Sequence, residues 1–234
     1  MEDFTKPVLP GTAESDYERY LRTDELLALQ KTASERVHHD ELLFQVTHQS
    51  SELWLKLACA DIELATSHLG RDEIAAAVRL TRRAAQAIVL ITTQIHMLEH
   101  MSPWEYQTIR RVLGHGSGFD SPGFKRAHHA SPLLRDAFMA LLERRHMTIV
   151  EMYQKGREIE DLYQLAEQLI EWDERVTLWK FHHLKLVERI IGGHVIGTQG
   201  TPVEVLGRRI NVTYFPELWE ARNRLTALAK EGEG

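Results

Sequence analysis

Thirteen histidines in 234 residues are the first chemistry this sequence offers. In the stretch LWKFHHLKLVERIIGG, Val176, Lys180, His183, Val187 and Ile190 recur every three or four residues and share one helical face. Leu162, Leu165 and Leu169 carry the apolar character upstream. His183 is therefore expected to point inward, with His182 about 100° away around the helix. An inward, neutral imidazole in an apolar surround is what an axial haem ligand requires. A core histidine bonded to a carbonyl is the commoner use of the same pattern.

Two further groups have the right types and spacing. In LLFQVTHQSSELWLKL, Phe44, His48, Ser51, Glu52 and Leu55 fall on one face. A histidine one turn from a phenylalanine can line a pocket for an aromatic molecule and exchange one hydrogen bond with it. The plainer alternative pairs His48 with Glu52 at i, i+4. In EYQTIRR, Tyr106 and Arg110 are also i, i+4, and arginine beside a phenol is a carboxylate clamp in waiting. A solvated basic face is the ordinary role of Arg110 and Arg111. Glu35-x-x-His38 and Glu143-x-x-His146 have the spacing of di-iron ligands, but neither has the apolar flanks of an inward-facing ligand helix. No Walker loop, dinucleotide fingerprint, HExxH or Gly-x-Ser-x-Gly is present.

Composition narrows the partners. Lys and Arg number 28 against 34 Asp and Glu, a net charge of −6, which argues against nucleic acid and anionic membrane surfaces. The single cysteine, Cys59, excludes a disulfide framework and fits a reducing cytoplasm. The first residues, MEDFTKPVLPG, lack an apolar segment behind a basic start, and stretches such as Ala84 to Ile91 are far below the ~20 residues that span a bilayer. The expectation is a cytoplasmic protein.

The elements that must position these side chains read as helices. With 14 glycines and 7 prolines, breakers are few, and they gather in GHGSGFDSPG (114–123) and GGHVIGTQGTPVEVLG (192–207). Helices are expected at about 15–31, 35–68, 72–99, 102–114, from Ser131 on, at 158–191 and from Pro216 on. Ser102-Pro103-Trp104-Glu105 is a strong helix start: Ser as cap, Pro in the first turn, Glu three after the cap. Only 203–215 reads as weakly extended. The fold class expected is all-α, one helical domain over 1–234.

Taken together, the blocks resemble a known family, the tryptophan 2,3-dioxygenases, which are all-helical haem enzymes that open an indole ring. The resemblance lies in YERYL (17–21), LLFQVTHQSSELWLKL (42–57), SPWEYQTIRRVLGHGSGF (102–119), WKFHHLKLVERIIG (179–192), GTQGT (197–201) and FPELW (215–219), in order along nearly the whole chain. It implies haem b with His183 as the axial iron ligand, and His48 as the distal histidine at the indole N–H. It implies Phe44 as a pocket wall, Arg110 and Tyr106 at the substrate carboxylate, and Thr198 at the amino-acid head group. It implies that Tyr17, Tyr20 and Leu21, in an arm over 1–31, reach a neighbour's site in a homotetramer.

The reaction implied is dioxygenation of L-tryptophan by O₂ to N-formylkynurenine, within tryptophan catabolism by the kynurenine pathway. Relatives of the fold that put one oxygen atom on a substituted tryptophan are the alternative, and a non-enzymatic haem sensor is a third. The segment between Phe119 and Trp179 is some dozens of residues shorter than in the usual member, where it forms extra outer helices.

Overall fold

The computed structural model describes residues 6–197, 200 and 202–231. Its helices are α1 (Asp16–Leu21), α2 (Thr23–Leu27), α3 (Glu41–Leu69), α4 (Ile74–Ile95), α5 (Pro103–Val112), α6 (Pro122–Arg144), α7 (Ile149–Lys155), α8 (Glu160–Ile191), α9 (Glu204–Ile210) and α10 (Pro216–Glu231). Short 3₁₀ turns occupy His96–His100, Gly118–Asp120 and Gly156–Ile159. No strand forms among the described residues, and one isolated antiparallel bridge joins Ile196 to Pro202. The fold is all-α, as its composition implies.

The frame is α3 packed on α4 and α6, with α8 packed on α4. Alanine-rich faces let these helices approach closely: Ala58, Ala65, Ala77, Ala84, Ala127 and Ala166 are all fully buried. Larger side chains, led by Trp172, Phe138 and Phe215, fill the spaces between them. Asp173 is 1% exposed yet well satisfied. It accepts from the backbone N–H of Tyr214 (2.9 Å) and Phe215 (3.2 Å) and from the indole of Trp219 (3.0 Å), which ties the start of α10 to the middle of α8. A second, smaller apolar cluster joins Ile95, Leu98, Met101, Ile109, Leu186 and Ile190, where the end of α4, α5 and the last turns of α8 meet.

Several expected boundaries move. The helix expected to open at Ser131-Pro132 starts at Ser121-Pro122, and Pro132 sits inside it. Ser121 caps the Phe124 N–H (3.1 Å), whereas Ser131 turns its hydroxyl back to the Ala127 carbonyl (2.8 Å) and receives the Trp172 indole N–H (3.0 Å). A proline inside a helix costs about 3 kcal/mol, and buried Ala127, Ala130, Leu134 and Phe138 flank it on the core face. The stretch 203–215, expected to be extended, contains α9: Pro202 starts the turn and Leu206 and Ile210 share a face at i, i+4. The helix expected from 15 to 31 breaks at Arg22, which is left-handed at φ 54°. The helix expected from 35 begins at Glu41, because Thr32 and Glu35 close a turn of their own.

No helix among the described residues is long and apolar enough to cross a membrane.

Candidate active site

The second apolar cluster carries the side chains that the sequence singles out. Phe44 and Tyr106 pack against it from α3 and α5, with Trp179 beside them on α8. The Phe44 ring lies 4.1 Å from His48 and 6.1 Å from Tyr106, centroid to centroid. Tyr106 and Arg110 occupy one face of α5, which starts as expected: Ser102 accepts from the Glu105 N–H and Pro103 fills the first turn. His183 and His48 stand close enough to interact electrostatically, each neutral. Five of the nine side chains named from sequence, on three helices far apart in the chain, therefore converge.

Their protonation follows from their surroundings. Burial holds the His183 imidazole down at about 4, with proximity to His48 adding to the shift. Packing around its ring likewise lowers His48, although the residue is solvent-exposed, and the hydrogen bond to the Phe44 carbonyl opposes the shift. His48 Nδ1 lies 2.7 Å from the Phe44 carbonyl oxygen. A carbonyl can only accept, so Nδ1 carries the proton and Nε2 keeps a free lone pair. The Tyr106 phenol is raised by burial and stays protonated. Arg110 donates to the Ile196 carbonyl at 2.7 Å, tying α5 to the segment that follows α8. The expected His48–Glu52 pairing is replaced: Glu52 accepts instead from Ser121 Oγ (2.5 Å) and the Gly123 N–H (2.8 Å).

The remaining residues fall elsewhere. Tyr17, Tyr20 and Leu21 are exposed on α1, which buries none of its residues and packs on α2. Thr198 lies outside the described residues. His182 points toward His96, in an edge-to-face contact at 5.2 Å. Among the described residues no group of three or more His, Cys, Asp or Glu could hold a metal ion, and the two Glu-x-x-His pairs lie far apart in the chain.

Two features escaped the sequence pattern. Trp179 lies parallel to His183, 8° between planes and 5.0 Å between centroids. Its position four residues before His183 was the available signal. Gly118 is the other: a Cβ placed there would stand 3.8 Å from Cε1 and Nε2 of His183, so the glycine-rich loop lies along that ring edge. Two surface depressions, of about 550 Å³ around Gly156–Gln164 and about 430 Å³ beside Leu184, His194 and Glu204, are lined by none of these side chains.

The donor chemistry fits a haem. His183 is neutral, and neither ring nitrogen has a hydrogen-bond partner among the described residues, beside a cluster that is wholly apolar. Gly118 puts no side chain against the Nε2 edge of that ring, where a Cβ would stand 3.8 Å away.

Comparison with known proteins agrees with this arrangement. The family model described as tryptophan 2,3-dioxygenase matches residues 7–130 and 136–225. The tryptophan 2,3-dioxygenase of Saccharopolyspora erythraea is 33% identical over an alignment of 264 positions, covering 91% of this chain and 93% of that protein. Those of Bacillus anthracis and Caulobacter vibrioides are each 32% identical, covering 89% of this chain and 92% and 98% of theirs. The first alignment is longer than this 234-residue chain, so the relative carries residues with no counterpart here. The break in the family match, at 131–135, falls around Pro132 in α6. With a match over most of its length and an all-α fold, the chain belongs to the tryptophan 2,3-dioxygenase family, a family of haem-using oxidoreductases.

Proposed function

We propose that this protein is a haem-dependent dioxygenase that adds both atoms of O₂ across the indole 2,3 bond of L-tryptophan, giving N-formylkynurenine. The observation that carries the reading is the meeting of Phe44 with His48 and Tyr106, with Arg110 one turn along from Tyr106 and His183 within electrostatic reach of His48. His183 would hold the haem iron, and the bound haem would supply the activation of O₂ that no side chain provides.

The chain's own residues bind and orient. Arg110 pairs with the substrate carboxylate through two charge-assisted hydrogen bonds, giving up the Ile196 carbonyl to do so. The protonated Tyr106 phenol, one turn away, donates to the same head group. His48, with its proton on Nδ1, accepts the indole N–H at Nε2, which sets the indole's rotation. Phe44 forms the apolar wall against the ring. Catalysis by these groups is positioning: they hold the reacting carbons in one place and exclude water. Thr198 is assigned to the ammonium side. The exposed Tyr17, Tyr20 and Leu21 are assigned to the site of a neighbouring copy in a homotetramer, because α1 finds no burial on its own chain.

Turnover of L-tryptophan by the haem-loaded protein under ¹⁸O₂ tests the reading by mass spectrometry of the product. Two labelled atoms per product are expected. One labelled atom would establish a monooxygenase instead, and a haem-bound protein that leaves tryptophan unchanged would rule out L-tryptophan as the substrate.

A further inference from the structure

A histidine that ligates a metal usually has its plane fixed by a hydrogen bond from its other nitrogen. His183 has no such bond among the described residues, and its Cβ–Cγ torsion is intrinsically broad. Something else must set the plane. Trp179 lies against it, parallel within 8° at 5.0 Å, which is an offset stack. On the other side Trp179 meets Phe124, at 3.9 Å and 31°. Three rings from two helices thus form one column that ends on His183.

The far end of the column is keyed. Phe124 sits in the first turn of α6, and that turn is locked onto α3 by Glu52. One carboxylate oxygen accepts from Ser121 Oγ (2.5 Å) and the other from the Gly123 N–H (2.8 Å), at the positive end of the helix. The fit leaves no room for a side chain: a Cβ on Gly123 would fall 2.6 Å from Leu55 Cβ and 2.8 Å from Glu52 Oε2. Ser121 in turn caps the Phe124 N–H at 3.1 Å. Each link fixes the next, from carboxylate to helix start to ring to ring to imidazole.

We infer that Glu52, Phe124 and Trp179 are positioning residues that set the plane of the His183 imidazole. This rests on His183 being the iron ligand. The column holds the ring in one rotamer before any ligand arrives, so the ligand set is pre-organised.

The test is the iron–histidine stretching band of the ferrous haem protein, read by resonance Raman spectroscopy, with haem affinity alongside. The wild type must first give a band that His183→Ala loses; its absence would defeat the ligand assignment rather than the column. Given that band, Trp179→Leu is expected to shift or broaden it and weaken haem binding about tenfold or more. Trp179→Phe, which keeps a flat ring, is expected to restore it. Glu52→Ala should move the band in the same direction by less. Glu52→Gln should restore it, since an amide can accept from Gly123 and donate to the Ser121 hydroxyl. Ser121→Ala, which leaves one of the two bonds, covers the case in which Glu52→Ala fails to fold. A wild-type band and affinity in folded Trp179→Leu overturns the inference, and so does equal disturbance by Trp179→Phe. A wild-type band in Ser121→Ala and in any folded Glu52→Ala, with Trp179→Leu altered, overturns the part assigned to Glu52.

Discussion

Trp172 and His183 stand about three turns apart on the same helix and are treated in opposite ways. Trp172 is fully buried, and its indole N–H reaches Ser131 Oγ at 3.0 Å. His183 is half-buried, and neither of its nitrogens finds a partner among the described residues. The contrast holds for the two regions as a whole. In the main core Asp173 accepts three hydrogen bonds, and among the described residues only Gln168 Oε1 is a buried side-chain atom without a partner. Beside the small cluster at the end of α8, the solvent-exposed His48 of α3 keeps a free Nε2, and Arg110 of α5 rests on a backbone carbonyl. Saturated polar groups mark where the chain holds itself together, and open valences mark where it waits for something else.

The sharpest attack on that division is in the core. Trp172→Ala removes a fully buried indole and leaves Ser131 without its donor, and should destabilise the protein by about 3–5 kcal/mol. Urea unfolding checks it; a loss comparable to that of an exposed-site mutation would mean that the core does not depend on this side chain.

Arg110→Leu attacks the other region. It should leave unfolding unchanged while lowering kcat/KM for L-tryptophan about a hundredfold, equivalent to ~3 kcal/mol for a lost charge-assisted pair. Near-normal turnover would remove Arg110 from the site.

Deleting residues 1–22 tests whether the arm belongs to either region. Several hydrogen bonds of this segment are internal: the N–H groups of Val8 and Leu9 reach Asp16, and Arg19 reaches the Leu9 and Ala13 carbonyls. The unfolding free energy per chain should change by no more than about 0.5 kcal/mol. KM for tryptophan should rise about tenfold, or ~1.4 kcal/mol, with a fall in particle size by light scattering. Unchanged size and KM would refute an arm shared between copies.

The smallest effect is a pH dependence of the haem-free protein. The His183 imidazole is depressed from its ordinary 6.5 to about 4 in the folded chain, so the unfolded chain binds a proton first. Stability should therefore fall as pH drops from about 6.5 to about 4 and level off below, by on the order of 1 kcal/mol after allowing for a half-exposed ring. His183→Phe should flatten that window, and an unchanged slope would show that other groups set it.

Much of this was legible in advance, for local reasons. The face of α8 that carries His183, the cap at Ser102 and the i, i+4 pairing of Tyr106 with Arg110 depend on residues within a turn of one another. Local rules failed where two segments offered the same signal. Ser121-Pro122 and Ser131-Pro132 are equal helix starts by sequence, and α6 uses the first because Glu52, some seventy residues away, is there to hold it. The same contact explains the misjudged partner of Glu52: i, i+4 proximity to His48 lost to a helix N-terminus, which offers a carboxylate an oriented N–H, a hydroxyl donor and a favourable dipole. The α9 segment misled for a related reason, since VEVLGRRINV mixes residues that favour strands with helical spacing.

What the sequence determined by itself is a helical chain with a histidine, a clamp and an aromatic wall on the proper faces, because helical periodicity sorts side chains without reference to the rest of the molecule. What only the tertiary structure decided is who meets whom across helices: Phe44 beside Tyr106, Arg110 on Ile196, and Trp179 against Phe124. These contacts join residues far apart in the chain, and their geometry is set by how four packed helices share one volume rather than by any local preference.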